Sequence, residues 1–492
     1  MKFNLKYFIF FALVISGSYC YSQGAVNSPY QTGFSYYKTF DKSRQYISNY
    51  DTAFRPLLIH HWYPSVIENN ADKLSFKSYI DLIAIRDDYN KVVQEVDQHS
   101  IDFVNAYLGF AKQHFGIDTN TTTKGLLNSP VKAIYDAPML DETFPLVIYA
   151  PSNSKSSIQN FMICETLASN GFNVISVASA GAQTMKRLDT KASIEAQVLD
   201  MEFILRYFKD SLHLEYSDLG LFGFSTGSLA TAVFQMKNTE VSAVLGLDGS
   251  NEYSFYFPLF ELKDFKLNNS TAPYCILTNK HKDFSFYPYY NSIVSTQKYM
   301  FKMPYLDHSG FISYWKFFDL YSPGTTINPI TESYDIMNET VLDFFMTFLN
   351  PIHEPGNKGI NFKISDNEYL LKDTSDNSAV ASLLNTILTD GIDTAIKEMT
   401  KNKYIYLDKE DELNILGRMF LDNDVSIAIS LFKANIEYHP ESWQAYYNLG
   451  RCYKKENKLD LAENVLIKAI ELKPDNADIF KLLEEVLQTE NN

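Results

Sequence analysis

The regular alternation of strand-like and helix-like segments between residues 144 and 304 limits the possible folds of this chain more than any other feature. FPLVIYA (144–150), FNVISVA (172–178), LGLFGFS (219–225), SAVLGLDG (242–249), APYCILTN (272–279) and KYMFKMP (298–304) are short apolar runs without polar alternation. Between them SIQNFMICETLASNG, IEAQVLDMEFILRYF and GSLATAVFQM carry helical periodicity, and a last helix, YDIMNETVLDFFMTFL, ends near Leu349. A strand that does not alternate is buried on both faces, and strands that alternate with helices build a parallel sheet with helices on either side. The expected architecture over residues 23–350 is therefore an α/β domain with a doubly wound, mostly parallel sheet. RPLLIHHWYP (55–64) reads as one further strand ahead of the series. Residues 66–130, polar and helical in pattern, read as an insertion.

What flanks this domain is different in kind. The chain begins MKFNLKYFIFFALVISGSYCYSQ, with Lys2 and Lys6 ahead of an apolar stretch too short to span a bilayer comfortably and small residues after it. Residues 1–22 read as a secretory signal peptide, cleaved after Ser22, which predicts an exported protein, periplasmic or secreted. Tyr19 stands where a lipid-attachment motif at Cys20 would need a small residue. No other segment is long and apolar enough to span a membrane. The formal charge of −16, without a Lys/Arg run to offset it, excludes nucleic acid as a partner. Cys164, Cys275 and Cys452, the cysteines left after cleavage, are far apart and odd in number, so neither a disulfide scaffold nor a metal-ligand spacing is expected.

Residues 351–375 are rich in Pro, Gly and polar side chains and read as a linker. Residues 376–492 are helical and repeat. Tyr446, Leu449, Gly450, Tyr453, Ala462, Leu466, Ala469 and Pro474 fall at the spacing of the tetratricopeptide pattern, best developed over 443–476. Small residues at 450 and 462 let two antiparallel helices approach, the larger ones fill the space between them, and Pro474 stops the second helix. A weaker copy runs through Leu416, Gly417, Ala428, Phe432 and Pro440; residues 378–401 read as a degenerate third, and IFKLLEEVLQ (479–488) as a capping helix.

The chemistry is carried by Gly223-Phe224-Ser225-Thr226-Gly227, between a predicted strand and a predicted helix. That context is the nucleophile elbow, in which a sharp turn exposes a strained serine and the glycines leave room for neighbouring backbone. The Thr226 N–H, at the helix start, points at a developing oxyanion. A triad then needs an acid and a histidine downstream. Of the histidines after Ser225, His353 falls in the linker, His439 in the repeats and His281 in a loop; His308, in PYLDHSGF beyond the last strand, is the expected base. Asp248 and Asp283 compete as the acid. Asp248 emerges from a buried strand end, which suits a carboxylate that orients an imidazole away from water, and it is preferred; Asp283 is the alternative. Asp307 reads as a loop acid. Two further matches are set aside: Ser152-Asn153-Ser154-Lys155 with Ser375-Asp376-Asn377 mimics a penicillin-recognising enzyme that lacks its third element, and His60-His61 are strand neighbours whose side chains point to opposite faces.

The elbow, LGLDG with Asp248, the loop with His308, and RPLLIHHWYP set beside an R-P-x-x-x-x-x-W-Y-P segment together resemble the plasma-type platelet-activating factor acetylhydrolases and the broader dienelactone-hydrolase-like esterases, over residues 30–350 apart from the insertion. The resemblance implies an α/β-hydrolase fold, a cofactor-free and metal-free serine esterase with Ser225, Asp248 and His308 as its triad, and a small ester or lipid-like substrate. It also implies the backbone N–H of Asn153 as second oxyanion donor. Where that group has a His-Gly pair after the preceding strand, this chain has Pro151-Ser152-Asn153-Ser154, a departure that bears on the geometry of the hole. Two other readings stay open: an inert hydrolase-like scaffold whose repeats bind a protein or peptide partner, and a serine peptidase. The aromatic segment NEYSFYFPLFE (251–261) and the insertion are expected to wall an acyl site.

Overall fold

The structure, a computed structural model, describes residues 28–48, 51–66, 72–86, 88–115, 122–153, 155–184, 190–252, 266–279, 297–303, 305–321, 328–349, 379–421 and 424–490, together with Leu262, Asp264, Tyr287, Tyr289, Tyr290, Ile293 and Ser295. The segment read as a signal peptide, Asp283, His281, the linker and residues 253–261 of the aromatic segment lie outside the described residues.

Among the described residues nine strands form one sheet: β1 (Gln31–Ser48), β2 (Asp51–Ser65), β3 (Ile134–Tyr135), β4 (Phe144–Ala150), β5 (Asn173–Val177), β6 (Tyr216–Phe224), β7 (Val241–Leu247), β8 (Tyr274–Thr278) and β9 (Lys298–Lys302), in the order β3-β1-β2-β5-β4-β6-β7-β8-β9. From β5 to β9 neighbouring strands are parallel; β2 joins β5 antiparallel and forms a long antiparallel hairpin with β1. This is the α/β-hydrolase fold. The missing polar alternation has its cause in the packing. Val147, Tyr149, Phe222, Phe224, Leu245 and Leu247 enter a core on one face; Leu146, Ile148, Leu219, Leu221, Val244 and Ile276 enter a second core on the other. Helices α4 (Phe161–Ser169) and Asn328–Leu349 cover the first face, while α5 (Thr190–Asp210) and α6 (Gly227–Lys237) cover the second.

β1 was not legible as a strand. Its sequence, QTGFSYYKTFDKSRQYIS, is polar and charged because it lies towards the edge of the sheet, where one side faces water. The hairpin is bound to α5 by a buried ion cluster: Arg55 donates from Nε and Nη2 to the two oxygens of Asp200 at 2.7 and 2.5 Å, and Arg44 Nη2 reaches Asp200 at 2.7 Å. The insertion is helical as expected, with α1 (Phe76–Ile85), α2 (Val93–Phe115) and α3 (Thr123–Asn128). It is fastened to the sheet domain through Glu165 of α4, which accepts from the Tyr79 hydroxyl (2.9 Å) and the Ala133 N–H (3.1 Å), while Trp62 Nε1 donates to Tyr79 (2.8 Å). Burial pushes the Glu165 carboxyl up to about 7.

The C-terminal domain is all helical, with antiparallel pairs Glu410–Phe420 with Val425–Tyr438 and Trp443–Lys455 with Leu459–Leu472, preceded by Ala379–Asp390 and Ile392–Lys401 and followed by Ala477–Glu490. It has its own core, which includes Leu416, Phe432, Leu449 and Leu466. Among the described residues no helix is long and apolar enough to cross a membrane.

Candidate active site

Two neighbouring strands end in residues held where L-amino acids are strained. Ser225, directly after β6, has φ +55°, and Asp248, directly after β7, has φ +41°. Backbone bonds hold both. The Ser225 N–H donates to the Leu247 carbonyl at 3.0 Å, and the Ser225 carbonyl accepts from Ser228 (3.1 Å) and Ser250 (3.0 Å). The Asp248 N–H donates to the Leu277 carbonyl at 2.7 Å. Glycine is required on either side of the serine because backbone crowds it. A Cβ on Gly223 would lie 2.5 Å from the Ser228 nitrogen, and one on Gly227 would lie 2.0 Å from the Ala150 carbonyl oxygen. The turn is thus wedged between the end of β4 and the start of α6, with Thr226 as the helix N-cap.

The Asp248 side chain is 1% exposed, and Oδ2 receives His308 Nδ1 at 2.5 Å. Asn279, at the end of the adjacent β8, donates its N–H to Oδ1 (3.1 Å) and its side-chain amide to both oxygens (3.0 and 2.9 Å). Burial alone would raise the Asp248 carboxyl; the hydrogen bond and charge of His308 and the Asn279 donors outweigh it and hold the group below the usual carboxylate range. A carboxylate only accepts, so Nδ1 of His308 donates to Asp248 and Nε2 is the nitrogen left to face a substrate. His308 opens a short 3-10 turn, His308–Phe311, capped by Asp307, whose side chain accepts from Gly310 N–H (2.9 Å) and Ser309 Oγ (2.7 Å). The ring stacks on Phe224, the residue before the serine, with centroids 5.2 Å apart. Half of the His308 side chain remains exposed.

The structure therefore brings Asp248 and His308 into direct contact, and sets Ser225 beside them on one edge of the sheet, where Phe224 pairs with Leu247 and Leu247 with Leu277. Ser225 Oγ has its hydrogen-bond contact with Ser250 Oγ at 3.4 Å rather than with His308. Asn153 lies in the turn beyond β4, a loop braced by Ser152 Oγ donating to Gln159 (2.9 Å) and Gln197 donating to the Pro151 carbonyl (2.9 Å). Asn279, Phe224 and Ser250 were missed in the sequence. A signal for Asn279 existed: APYCILTN closes an apolar run with a polar residue as Asp248 closes SAVLGLD, and parallel neighbours present their ends side by side. His60 and His61 are buried and bonded separately, His60 Nδ1 with Ser157 Oγ and His61 Nε2 with Asn173 Oδ1; burial lowers them to about 3 and about 4.

A tetratricopeptide-repeat family profile matches residues 444–476. Among solved structures the chain is similar to a ferulic acid esterase from Streptomyces cinnamoneus, at 16% identity and a TM-score of 0.47, over 69% of this chain and 96% of that one. No curated protein matches the chain.

In chemical terms, the arrangement offers a constrained hydroxyl, an imidazole whose tautomer is set by a buried carboxylate, and the N-terminus of α6 behind the hydroxyl.

Proposed function

We propose that the chain is a serine hydrolase of ester bonds, with Ser225 as nucleophile, His308 as base and Asp248 as the acid that orients it. The observation that carries this reading is the presence at one sheet edge of a serine held at φ +55° and a buried carboxylate bonded to an imidazole. Ser225 Oγ attacks the ester carbonyl while its proton passes to His308 Nε2, and Asp248 stabilises the imidazolium. The backbone N–H groups of Thr226 and Asn153 receive the charge that develops on the carbonyl oxygen. Collapse of the tetrahedral intermediate releases the alcohol, which takes the proton from Nε2. Water, deprotonated by His308, then attacks the acyl-enzyme, and Ser225 recovers its proton as the carboxylic acid leaves. Residues 1–22 support export, and the repeats support a protein or peptide partner, since stacked repeats of this kind form binding surfaces.

The test is labelling of the mature protein by a fluorophosphonate probe, with Ser225→Ala and His308→Ala alongside. Labelling that disappears in both variants establishes an activated serine. A folded wild-type protein that takes no label refutes the reading.

A further inference from the structure

The sheet holds the base of the candidate site from its inner side. Asp248 bonds the His308 ring and Phe224 stacks on it, yet half of the side chain is exposed, so water rather than packing lies against its outer side. Where the ring stands therefore depends on the backbone that carries it, the turn His308–Phe311. Asp307 fixes the start of that turn through the Gly310 N–H and the Ser309 hydroxyl. The carbonyls are a separate matter, because the last carbonyls of a short helical turn have no partner within it. Trp315 serves one of them from outside: its indole Nε1 donates to the Ser309 carbonyl at 2.7 Å, one residue after the base.

The helical insertion holds Trp315 in turn. The indole is buried, on the helix Ser313–Tyr321 that begins just beyond the turn. Two rings of α2 lie against it, Phe110 stacked with centroids 5.6 Å apart and Tyr107 at 5.8 Å. Tyr107 also meets the neighbouring Tyr314 edge-on at 4.8 Å, and Phe103, one turn earlier on α2, meets it at 5.4 Å. From α1, Phe76 packs on Phe317 at 4.5 Å. Aromatic pairs at such separations attract beyond the area they bury and favour particular geometries. An indole set among them is held in the orientation in which its N–H meets Ser309. A chain of contacts thus runs from α2 through Trp315 to the residue beside the base.

We propose that Trp315 is a positioning residue for His308, and that the helical insertion, by clamping the indole, keeps the base in line with Ser225. The catalytic consequence rests on the Ser225 reading; the positioning rests on the contacts alone. Misplacement by about 1 Å can cost about 10²-fold in rate, and a half-exposed ring is where a remote contact has room to act on the chemistry.

The test uses the full mature chain. Trp315→Phe keeps a ring against α2 and removes the N–H; Phe110→Ala keeps the N–H and removes part of its support. Two readouts are followed: the second-order rate of fluorophosphonate labelling, and the proton NMR signal of the His308 Nδ1–H that donates to Asp248, assigned by its loss in His308→Ala. Both variants should label about 10- to 100-fold more slowly, and the Nδ1 signal should shift or broaden as the ring moves. Two controls separate positioning from bulk stability. Ile101→Ala truncates an exposed residue of α2 and should change neither readout. Phe317→Leu alters a buried residue of the Trp315 helix whose ring packs on Phe76, Phe161 and Tyr321; it should lower the thermal unfolding midpoint and leave the Nδ1 signal in place. Wild-type labelling in Trp315→Phe overturns the proposal, as does an unchanged Nδ1 signal. So does a Phe317→Leu protein that changes both readouts as much as Trp315→Phe, since any loosening of the helix would then suffice. If Trp315→Phe does not fold, Phe110→Ala decides on the same readouts. A wild type that takes no label, but whose Nδ1 signal responds to Trp315→Phe, keeps the positioning and removes its link to ester hydrolysis, so the two failures are told apart.

Discussion

Replacing Gly227 by alanine probes the tightest contact in the candidate site. The added Cβ would stand 2.0 Å from the Ala150 carbonyl oxygen, 2.7 Å from its carbon and 2.9 Å from the Pro151 oxygen. All three are backbone atoms, so no side chain can swing aside. Ordinary contact begins at 3.4 Å, and relief therefore requires about 1.4 Å of movement between the start of α6 and the end of β4. Overpacking of this kind costs about 1–3 kcal/mol. The same movement separates Thr226, at the start of α6, from the loop of Asn153 beyond β4, the two segments proposed to share the oxyanion. A 1 Å misplacement can cost about 10²-fold in rate, and loss of one oxyanion donor about 10²–10³. The expected result is a fall of at least about 10²-fold in the second-order rate of fluorophosphonate labelling, with a drop of about 1–3 kcal/mol in unfolding free energy from urea titration. Gly109→Ala is the control. It sits on an exposed turn of α2 with nothing within 4 Å of the new Cβ; alanine there should add about 0.8–1.0 kcal/mol and leave labelling unchanged. A Gly227→Ala protein with wild-type stability and labelling would refute the close apposition of β4 and the elbow.

Other expectations follow from the same geometry. His308→Ala should slow labelling by roughly 10⁴-fold, since the base is lost while the carboxylate behind it stays. Asn279→Ala removes donors to a charged acceptor and should cost about 1.5–3 kcal/mol near neutral pH. Asp248 is depressed in the fold, so its contribution is present above the ordinary carboxylate pKa and lost as pH falls; the gap between wild type and variant, followed by urea titration, should close below about pH 3.9. Arg55→Ala leaves Asp200 buried without its main partner and should cost about 3–5 kcal/mol in chemical denaturation. Glu165 has the opposite sign. Its folded carboxyl is raised to about 7, so the protonated form is favoured in the fold and stability should decline as pH climbs from the ordinary glutamate range to neutrality; Glu165→Gln should flatten that decline in thermal unfolding between about pH 4.3 and 7. A variant that keeps the wild-type slope would show that Glu165 is not its source.

The amino-acid sequence by itself determined the elements whose signals are local. FPLVIYA and the AVLGL of residues 243–247 are uninterrupted by charge because both faces of their strands are covered, and that pattern needs no knowledge of the partners. Gly-Phe-Ser-Thr-Gly between a strand and a helix specified the turn, and small residues at fixed spacing specified the repeat helices. β1 was invisible because a strand towards the edge of a sheet can be polar, and what holds it is a long hairpin with β2 and a buried arginine, both non-local. The His308–Asp248 contact joins residues far apart in the chain, and only the parallel register of β7, β8 and β9 brings the carboxyl ends of those strands together. Asn279 became a partner of Asp248 through that same register. Tertiary packing alone decided what holds Trp315. In its own segment it is an ordinary apolar residue, and its indole is oriented towards the His308 turn because α2, distant in the chain, lays Tyr107 and Phe110 against it.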